Sequence, residues 1–166
     1  MRPIVVAIVV AAIPACSKSD AELEKYVASG VWQCNPRTQL PKEKLDTGVF
    51  KTPERIVLQL EPGGDYTQVR LVPESPHAQF LEYRGRWWVA SGELVLQGAE
   101  TWGAVRRERG WEIDTVRRGQ DRRGKILEST DGKLKVEGDD EQAIGAGCTF
   151  TRDGTFPDRP AVAPLQ

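Results

Sequence analysis

The chain has 166 residues, with 23 lysines and arginines against 24 aspartates and glutamates, so its formal net charge is −1 at pH 7. A balance this close to neutral gives no electrostatic reason to expect nucleic acid as a partner. The length is that of one domain with a sizeable core.

The N-terminal segment has one basic residue, Arg2, followed by an almost unbroken apolar run over residues 3–15. As a helix this run spans roughly 20 Å, short of the roughly 30 Å of bilayer hydrocarbon. It ends on Ile13-Pro14-Ala15-Cys16, which resembles the signal peptide and lipobox of bacterial lipoproteins. The resemblance implies removal of residues 1–15 and diacylation of Cys16. The alternatives are a plain secretory signal cleaved after Ala15 and a buried helix.

The lipobox resemblance also implies a location. Two or three acyl chains, including palmitate, on Cys16 would hold the protein stably at a membrane, whereas one chain binds only marginally. Ser17 is not an aspartate, and under the enterobacterial sorting rule this favours the outer membrane, facing the periplasm. Other bacterial groups use different rules, so the inner membrane stays open.

A short helix is predicted directly after this segment. Ser19-Asp20-Ala21-Glu22 has the form of a capping box, and Gly30 stands where a helix would stop. We therefore expect a helix from Asp20 to Ala28. Only three residues separate Cys16 from Asp20, so the domain would lie close to the membrane surface.

Beyond Gly30 the apolar period changes to two, which is typical of half-buried strands. Turn signals separate eight or nine such segments, and residues 36–51 form a polar loop with two prolines. The segments are the one holding Trp32 and Cys34, residues 56–60, 67–71, 80–90, 93–97, 111–115, 126–128 and 134–136, and the one holding Cys148 and Phe150. The tail, 157–166, has three prolines and is predicted to be unstructured, which leaves 16–156 as the folded domain.

Two cysteines remain once Cys16 is lipidated. The periplasm is oxidising, so Cys34 and Cys148 are expected to form a disulfide, with two buried thiols as the alternative. A bridge would bring the first and last strands together, as closure of an up-and-down barrel requires. We therefore expect an all-β fold, an antiparallel barrel of about eight strands after one short helix. A β-sandwich is the alternative.

Gly30-Val31-Trp32 opens the first strand, and the lipocalin and calycin superfamily begins its barrel with a glycine-x-tryptophan of this kind. The chain resembles that superfamily, in particular small bacterial lipocalin-like lipoproteins. The resemblance implies an eight-stranded barrel with the tryptophan across its closed end and room for a small apolar ligand. The superfamily's late arginine is not recognisable in the sequence. A weaker likeness exists to periplasmic inhibitors of metalloproteases, which are also small barrels with tryptophan in the first strand.

The most unusual local composition lies between Trp102 and Lys125, a segment with eight basic and four acidic side chains. This segment could contact anionic lipid headgroups or an acidic partner, because arginine binds phosphate and carboxylate groups in bidentate geometry. The alternative is an ordinary solvated hairpin. The candidate residues for such a surface are Arg106, Arg107, Arg109, Arg117 and Arg118.

No catalytic or cofactor motif is recognisable. The only histidine, His77, lies in a proline-bounded loop, and with two widely spaced cysteines it does not make a zinc ligand set. There is no G-x-S-x-G pattern, and the run 139–141 lacks the spacing of a calcium loop.

These observations predict a non-enzymatic envelope lipoprotein without metal or cofactor. The main hypothesis is binding of a small apolar ligand or of an envelope protein partner. The alternative is a structural or interaction module that uses the arginine-rich face. A third, less favoured hypothesis is a periplasmic protease inhibitor.

Overall fold

The computed structural model describes residues 18–28, 30–41, 52–72, 78–130, 132–138 and 144–162. The predicted signal peptide, Cys16, His77 and the acidic run 139–141 lie outside these residues. The helices within these residues are α1 over Asp20–Val27 and α2 over Pro36–Gln39. The strands are β1 Val31–Cys34, β2 Arg55–Leu60, β3 Asp65–Val72, β4 Gln79–Ala90, β5 Glu93–Arg107, β6 Gly110–Arg118, β7 Arg122–Thr130, β8 Lys133–Glu137 and β9 Thr149–Thr151.

Eight strands form a closed antiparallel ring. Its order is β1, β2, β3, β4, β5, β7, β8 and β9, and β9 pairs back to β1 through Gln33 and Thr151. The predicted antiparallel barrel of about eight strands behind one short helix is therefore confirmed. The four-residue helix α2 was not predicted; it lies in the segment expected to be a polar loop.

The strand β5 pairs with two different strands in succession along one of its edges. Its first residues, 93–96, pair with β7 and close the ring, whereas residues 100–107 pair with β6, which lies outside the ring. The change occurs at Gly98, where an added Cβ would lie 2.5 Å from the carbonyl oxygen of Gln120. Glycine therefore lets the chain leaving β6 pass close to β5. We call residues 100–118 the flap.

The helix α1 packs at one end of the ring. The predicted capping box is confirmed, since Ser19 N donates to Glu22 at 2.8 Å and Ser19 Oγ accepts from Glu22 N. The Asp20 carboxylate accepts from the backbone N–H groups of Ser91 and Gly92 at 2.7 and 2.9 Å. These bonds join α1 to the turn between β4 and β5.

A continuous cluster of buried apolar side chains fills the ring. Trp32, Leu58 and Phe150 are fully buried within it, and Trp32 Nε1 donates to Val27 O at 2.8 Å. Cys34 and Cys148 lie at disulfide distance, with Cα atoms 6.4 Å apart, and so join β1 to the residue before β9. The predicted proximity of the first and last strands is confirmed.

The C-terminal residues differ from the prediction of an unstructured tail. Residues 154–162, which we call the strap, cross the outer face of the sheet. Gly154 N donates to Val31 O, Thr155 O accepts from Arg55, and Val162 bridges to Trp111 of β6. Prolines favour an extended chain and remove donors that would otherwise need partners, so this composition suits a strap as well as a disordered tail. The folded unit therefore extends to residue 162.

Candidate interaction surface

All five arginines predicted for an anionic-partner surface lie on the flap, and all five are exposed. They form two groups. Arg106, Arg107 and Arg109 surround the turn between β5 and β6, whereas Arg117 and Arg118 end β6. Seven residues of extended strand separate the groups, which corresponds to roughly 23 Å. The sequence predicted one candidate surface, whereas the structure places the two groups of arginines at opposite ends of β6.

The arginine group at the turn is partly neutralised by acidic neighbours. Arg107 Nε lies 3.0 Å from Glu112 Oε2, and both side chains are about half exposed. Glu108 lies in the turn itself, between Arg107 and Arg109. Backbone bonding fixes the turn to the neighbouring loop, since Arg106 N donates to Ala78 O at 2.8 Å. The turn therefore presents three guanidinium groups on a fixed backbone.

The second group lies beside Glu100 of β5. Arg118 is directly opposite Glu100 on β5, and Arg84 is opposite Glu100 on β4. The Arg159 guanidinium of the strap also reaches Glu100, at 3.6 Å. This end of β6 is therefore basic overall.

Two apolar side chains are exposed on the same strand. Ile113 is 50% exposed and Val116 is 66% exposed. The register places Ile113 opposite Ala104 and Val116 opposite Trp102, because a bulge at Asp114 interrupts the alternation between them. Both side chains therefore lie on the outer face, beside Trp102 and Trp111. The sequence alternation did not reveal this exposure.

Under the strap lies a second apolar cluster, on the outer face of the sheet. Its members come from β3, β4, β5, β6 and the strap: Val69, Leu71, Phe80, Trp102, Ala104, Trp111, Phe156 and Val162. Trp111 of β6 is partly buried against this cluster. The flap and the strap therefore stabilise each other.

Glu82 is a buried charge on the same outer face. Its side chain is 3% exposed and accepts from Arg159 Nε at 2.7 Å and from Arg159 Nη2 at 3.0 Å. Arg84 Nε donates to the same carboxylate. These bonds to Glu82 raise the pKa of Arg159 above its ordinary value. The Arg159 guanidinium also lies 4.7 Å from the centroid of the Trp102 ring. The sequence did not predict this ion pair, because Glu82 and Arg159 are 77 residues apart and Arg159 lies in the tail that was predicted to be unstructured.

Polar side chains occupy one layer of the ring's interior. Gln68 is fully buried, accepts from Arg122 and donates to Ile144 O. The Arg122 guanidinium lies 4.4 Å from the centroid of the Tyr83 ring. Burial, and secondly the charge of Arg122, lower the pKa of Arg70 to about 10. This layer is not the apolar cavity that the superfamily resemblance implies.

A pocket of about 410 Å³ lies on the outer face of the ring, beside the end of β1. Its lining includes Gln33, Gln39, Arg55 and Leu71.

Within the described ranges no group of three or more histidine, cysteine, aspartate or glutamate side chains could hold a metal ion. None of the helices in the part of the chain that the structure describes is long and apolar enough to cross a membrane.

Comparison of the chain with family models, with curated proteins and with solved structures gave no match.

Proposed function

We propose that the chain is a non-enzymatic lipoprotein of the bacterial envelope, anchored through Cys16, whose barrel holds the flap in place for contact with an anionic partner. The observation that carries the proposal is the composition of the flap. It holds the five predicted arginines and the two most exposed large apolar side chains among the described residues, Ile113 and Val116. Arginine next to exposed apolar surface is typical of protein interaction sites.

Binding at the surface fits the packing of the ring better than binding inside it. Ligand-binding barrels enclose a cavity lined mostly by apolar side chains. Here the interior carries a continuous cluster of buried apolar side chains and one polar layer around Gln68 and Arg122. This packing weighs against the version of the proposal in which a small apolar ligand lies inside the barrel.

The end of the ring next to α1 supports a lipocalin-like origin for the barrel. Trp32 of the glycine-x-tryptophan motif lies there beside α1. The Arg152 guanidinium, directly after β9, lies 4.9 Å from the centroid of the Trp32 ring and donates to Tyr26 O at 3.2 Å. We take this late arginine next to the tryptophan as support for the proposed lipocalin-like origin.

The position of the anchor bears on which partner the flap can meet. Lys18 is two residues after Cys16, and α1 lies against the turn that begins β5. The turn at Arg107 is at the other end of β5, roughly 45 Å along the strand. A membrane bound at Cys16 would therefore lie far from Arg106, Arg107 and Arg109. We infer that these arginines face a partner in the periplasm rather than the headgroups of the anchoring membrane.

The anchor is tested by expressing the full chain in a bacterium and separating the envelope fractions. The wild-type chain is expected in the outer-membrane fraction, and Cys16→Ala is expected in the soluble periplasmic fraction. Cys148→Ala removes a cysteine without removing the anchor and serves as the control. Membrane retention of the Cys16→Ala chain would overturn the anchor.

The contact with an anionic partner is tested with two populations of vesicles, one that holds the protein and one that contains an anionic lipid. The purified lipidated chain is held in neutral phosphatidylcholine vesicles, and capture of separate vesicles that contain phosphatidylglycerol is measured by co-sedimentation. We expect salt-sensitive capture that is lost when Arg106, Arg107 and Arg109 are changed to glutamine. The matched control changes three exposed cations elsewhere to glutamine: Arg123, Lys125 and Lys133. Equal loss in the control, or no capture by the wild-type chain, would refute the anionic contact.

A further inference from the structure

We propose that β6 is a dimerisation strand, which pairs antiparallel with β6 of a second copy of this chain about a two-fold axis between Asp114 and Thr115. This inference uses the same flap as the proposed function but does not depend on the anchor or on the anionic partner.

The open edge of β6 is available for such pairing. The strand lies last in the order of the sheet, with β5 on one side. On the other side the described residues supply one partner, Val162, which bridges to Trp111. Residues 112–118 therefore present backbone N–H and C=O groups at an edge, and such groups pair readily with another strand.

The bulge at Asp114 decides which side chains share a face. Ile113 and Val116 are opposite Ala104 and Trp102, so both lie on the outer face. Glu112 and Arg117 are opposite Val105 and Thr101, so both lie on the other face. In a regular strand, residues an odd number of positions apart lie on opposite faces. Without the bulge, Ile113 and Val116 could therefore not share a face, and neither could Glu112 and Arg117.

A two-fold axis between Asp114 and Thr115 makes this pattern self-complementary. It places Ile113 opposite Val116 of the second copy on one face, and Glu112 opposite Arg117 of the second copy on the other. Each contact occurs twice by symmetry. Apolar pairs and pairs of opposite charge directly across two strands are the pairs that stabilise a sheet.

Neighbouring registers are less favourable. Moving the axis one residue towards the N-terminus places Ile113 opposite Asp114 and Glu112 opposite Thr115 of the second copy, which removes both favourable pairs. Moving it one residue the other way places Ile113 opposite Arg118 of the second copy. The pattern of charges therefore selects one register.

Pairing would also extend the apolar cluster under the strap. Ile113 and Val116 adjoin Trp102 and Trp111, so the outer faces of two copies would form one continuous apolar surface. Six paired residues a side make a small interface, at the low end of specific protein interfaces. We therefore expect a weak dimer that forms most readily where the chain is concentrated.

The dimer is tested with a photoreactive amino acid placed at single positions of the full chain, in cells that express two differently tagged copies. Incorporation at Ile113 or Val116 should give a crosslinked product that carries both tags. Incorporation at Leu127, which is 46% exposed on β7, is the control and should give none. Absence of the doubly tagged product at both flap positions, or an equal yield at Leu127, would overturn the proposal.

A charge exchange tests the register. Arg117→Glu places like charges opposite each other twice and should lower the crosslink yield at Val116 by about three- to ten-fold. Adding Glu112→Arg to this variant restores opposite charges and should recover the yield, although it removes the Glu112–Arg107 contact. Failure of the double variant to recover, with its thermal midpoint unchanged, would contradict this register. Vesicle capture through Arg106, Arg107 and Arg109 would be unaffected by that failure, so the two proposals fail separately.

Discussion

Arg159 and Glu82 form a bidentate ion pair that fastens the C-terminal strap to β4. Arg159 Nε and Nη2 each lie within 3.0 Å of a carboxylate oxygen, and Glu82 is almost completely buried. The pair lies beside Trp102, so it also holds the first strand of the flap. A chain end that the composition marks as disordered is in this way part of the surface that we propose to be functional.

Arg159→Ala should destabilise the fold by about 1–3 kcal/mol, because it leaves a buried carboxylate with one of its two arginine partners. Chemical denaturation with urea, followed by tryptophan fluorescence, measures the change. Arg84→Ala is the matched control and should cost less, since Arg84 Nε is on a half-exposed side chain and makes one contact. A cost for Arg84→Ala equal to or larger than that for Arg159→Ala would contradict this assignment.

Removal of residues 156–166 should uncover the outer apolar cluster and loosen the flap, because Phe156, Arg159 and Val162 are lost together. Hydrogen exchange should then become faster for the backbone amides of β6 while those of β2 stay protected. Removal of residues 163–166 alone keeps all the strap contacts described above and serves as the control. Unchanged exchange in β6 after the longer truncation would show that the strap does not hold the flap.

The disulfide between Cys34 and Cys148 spans 114 residues of sequence. In the chain-entropy model, a crosslink of this span contributes about 4–5 kcal/mol. The double variant Cys34→Ser and Cys148→Ser should lose much of this stability, as should the wild-type chain in reductant. The double variant itself should not respond to reductant. A wild-type stability that is the same with and without reductant would contradict the prediction.

The capping box of α1 predicts a dependence on pH. Hydrogen bonds from the Ser19 backbone and side chain lower the pKa of Glu22 below its ordinary value of 4.5. The carboxylate of Glu22 therefore binds a proton less readily in the folded chain than in the unfolded chain. Its contribution to stability is full above pH 4.5 and is lost as the pH falls through the pKa of Glu22 in the folded chain. Glu22→Gln should lower the thermal midpoint at about pH 7 and have a smaller effect at about pH 3. An equal effect at both pH values would contradict a role for the charge.

The parts of the fold that the sequence predicted depend on local patterns. The capping box at Ser19, the alternation around Ile56 and Leu58, and the pairing of Cys34 with Cys148 each follow from neighbouring residues or from a count of cysteines. What was missed depends on distant contacts. Nothing near Glu82 indicates that Arg159 will bury it, and no local signal marks Gly98 as the point where β5 leaves the ring.

The candidate surface was predicted in the same partial way. Composition located the arginines of the flap, because charge density is visible in any sequence. It did not reveal that a bulge at Asp114 would place Ile113 and Val116 on one face, since the bulge results from pairing with β5. The edge position of β6 is likewise a property of the whole sheet.

The most direct measurement is native mass spectrometry of the full chain after purification from bacterial envelopes in mild detergent. The account predicts a chain that begins at Cys16 and carries acyl groups. It also predicts a mass about two daltons below the reduced form, from one disulfide, and no bound small molecule. A chain without acyl groups would contradict the anchor, and a small molecule retained in the barrel would contradict the claim that binding takes place at the surface.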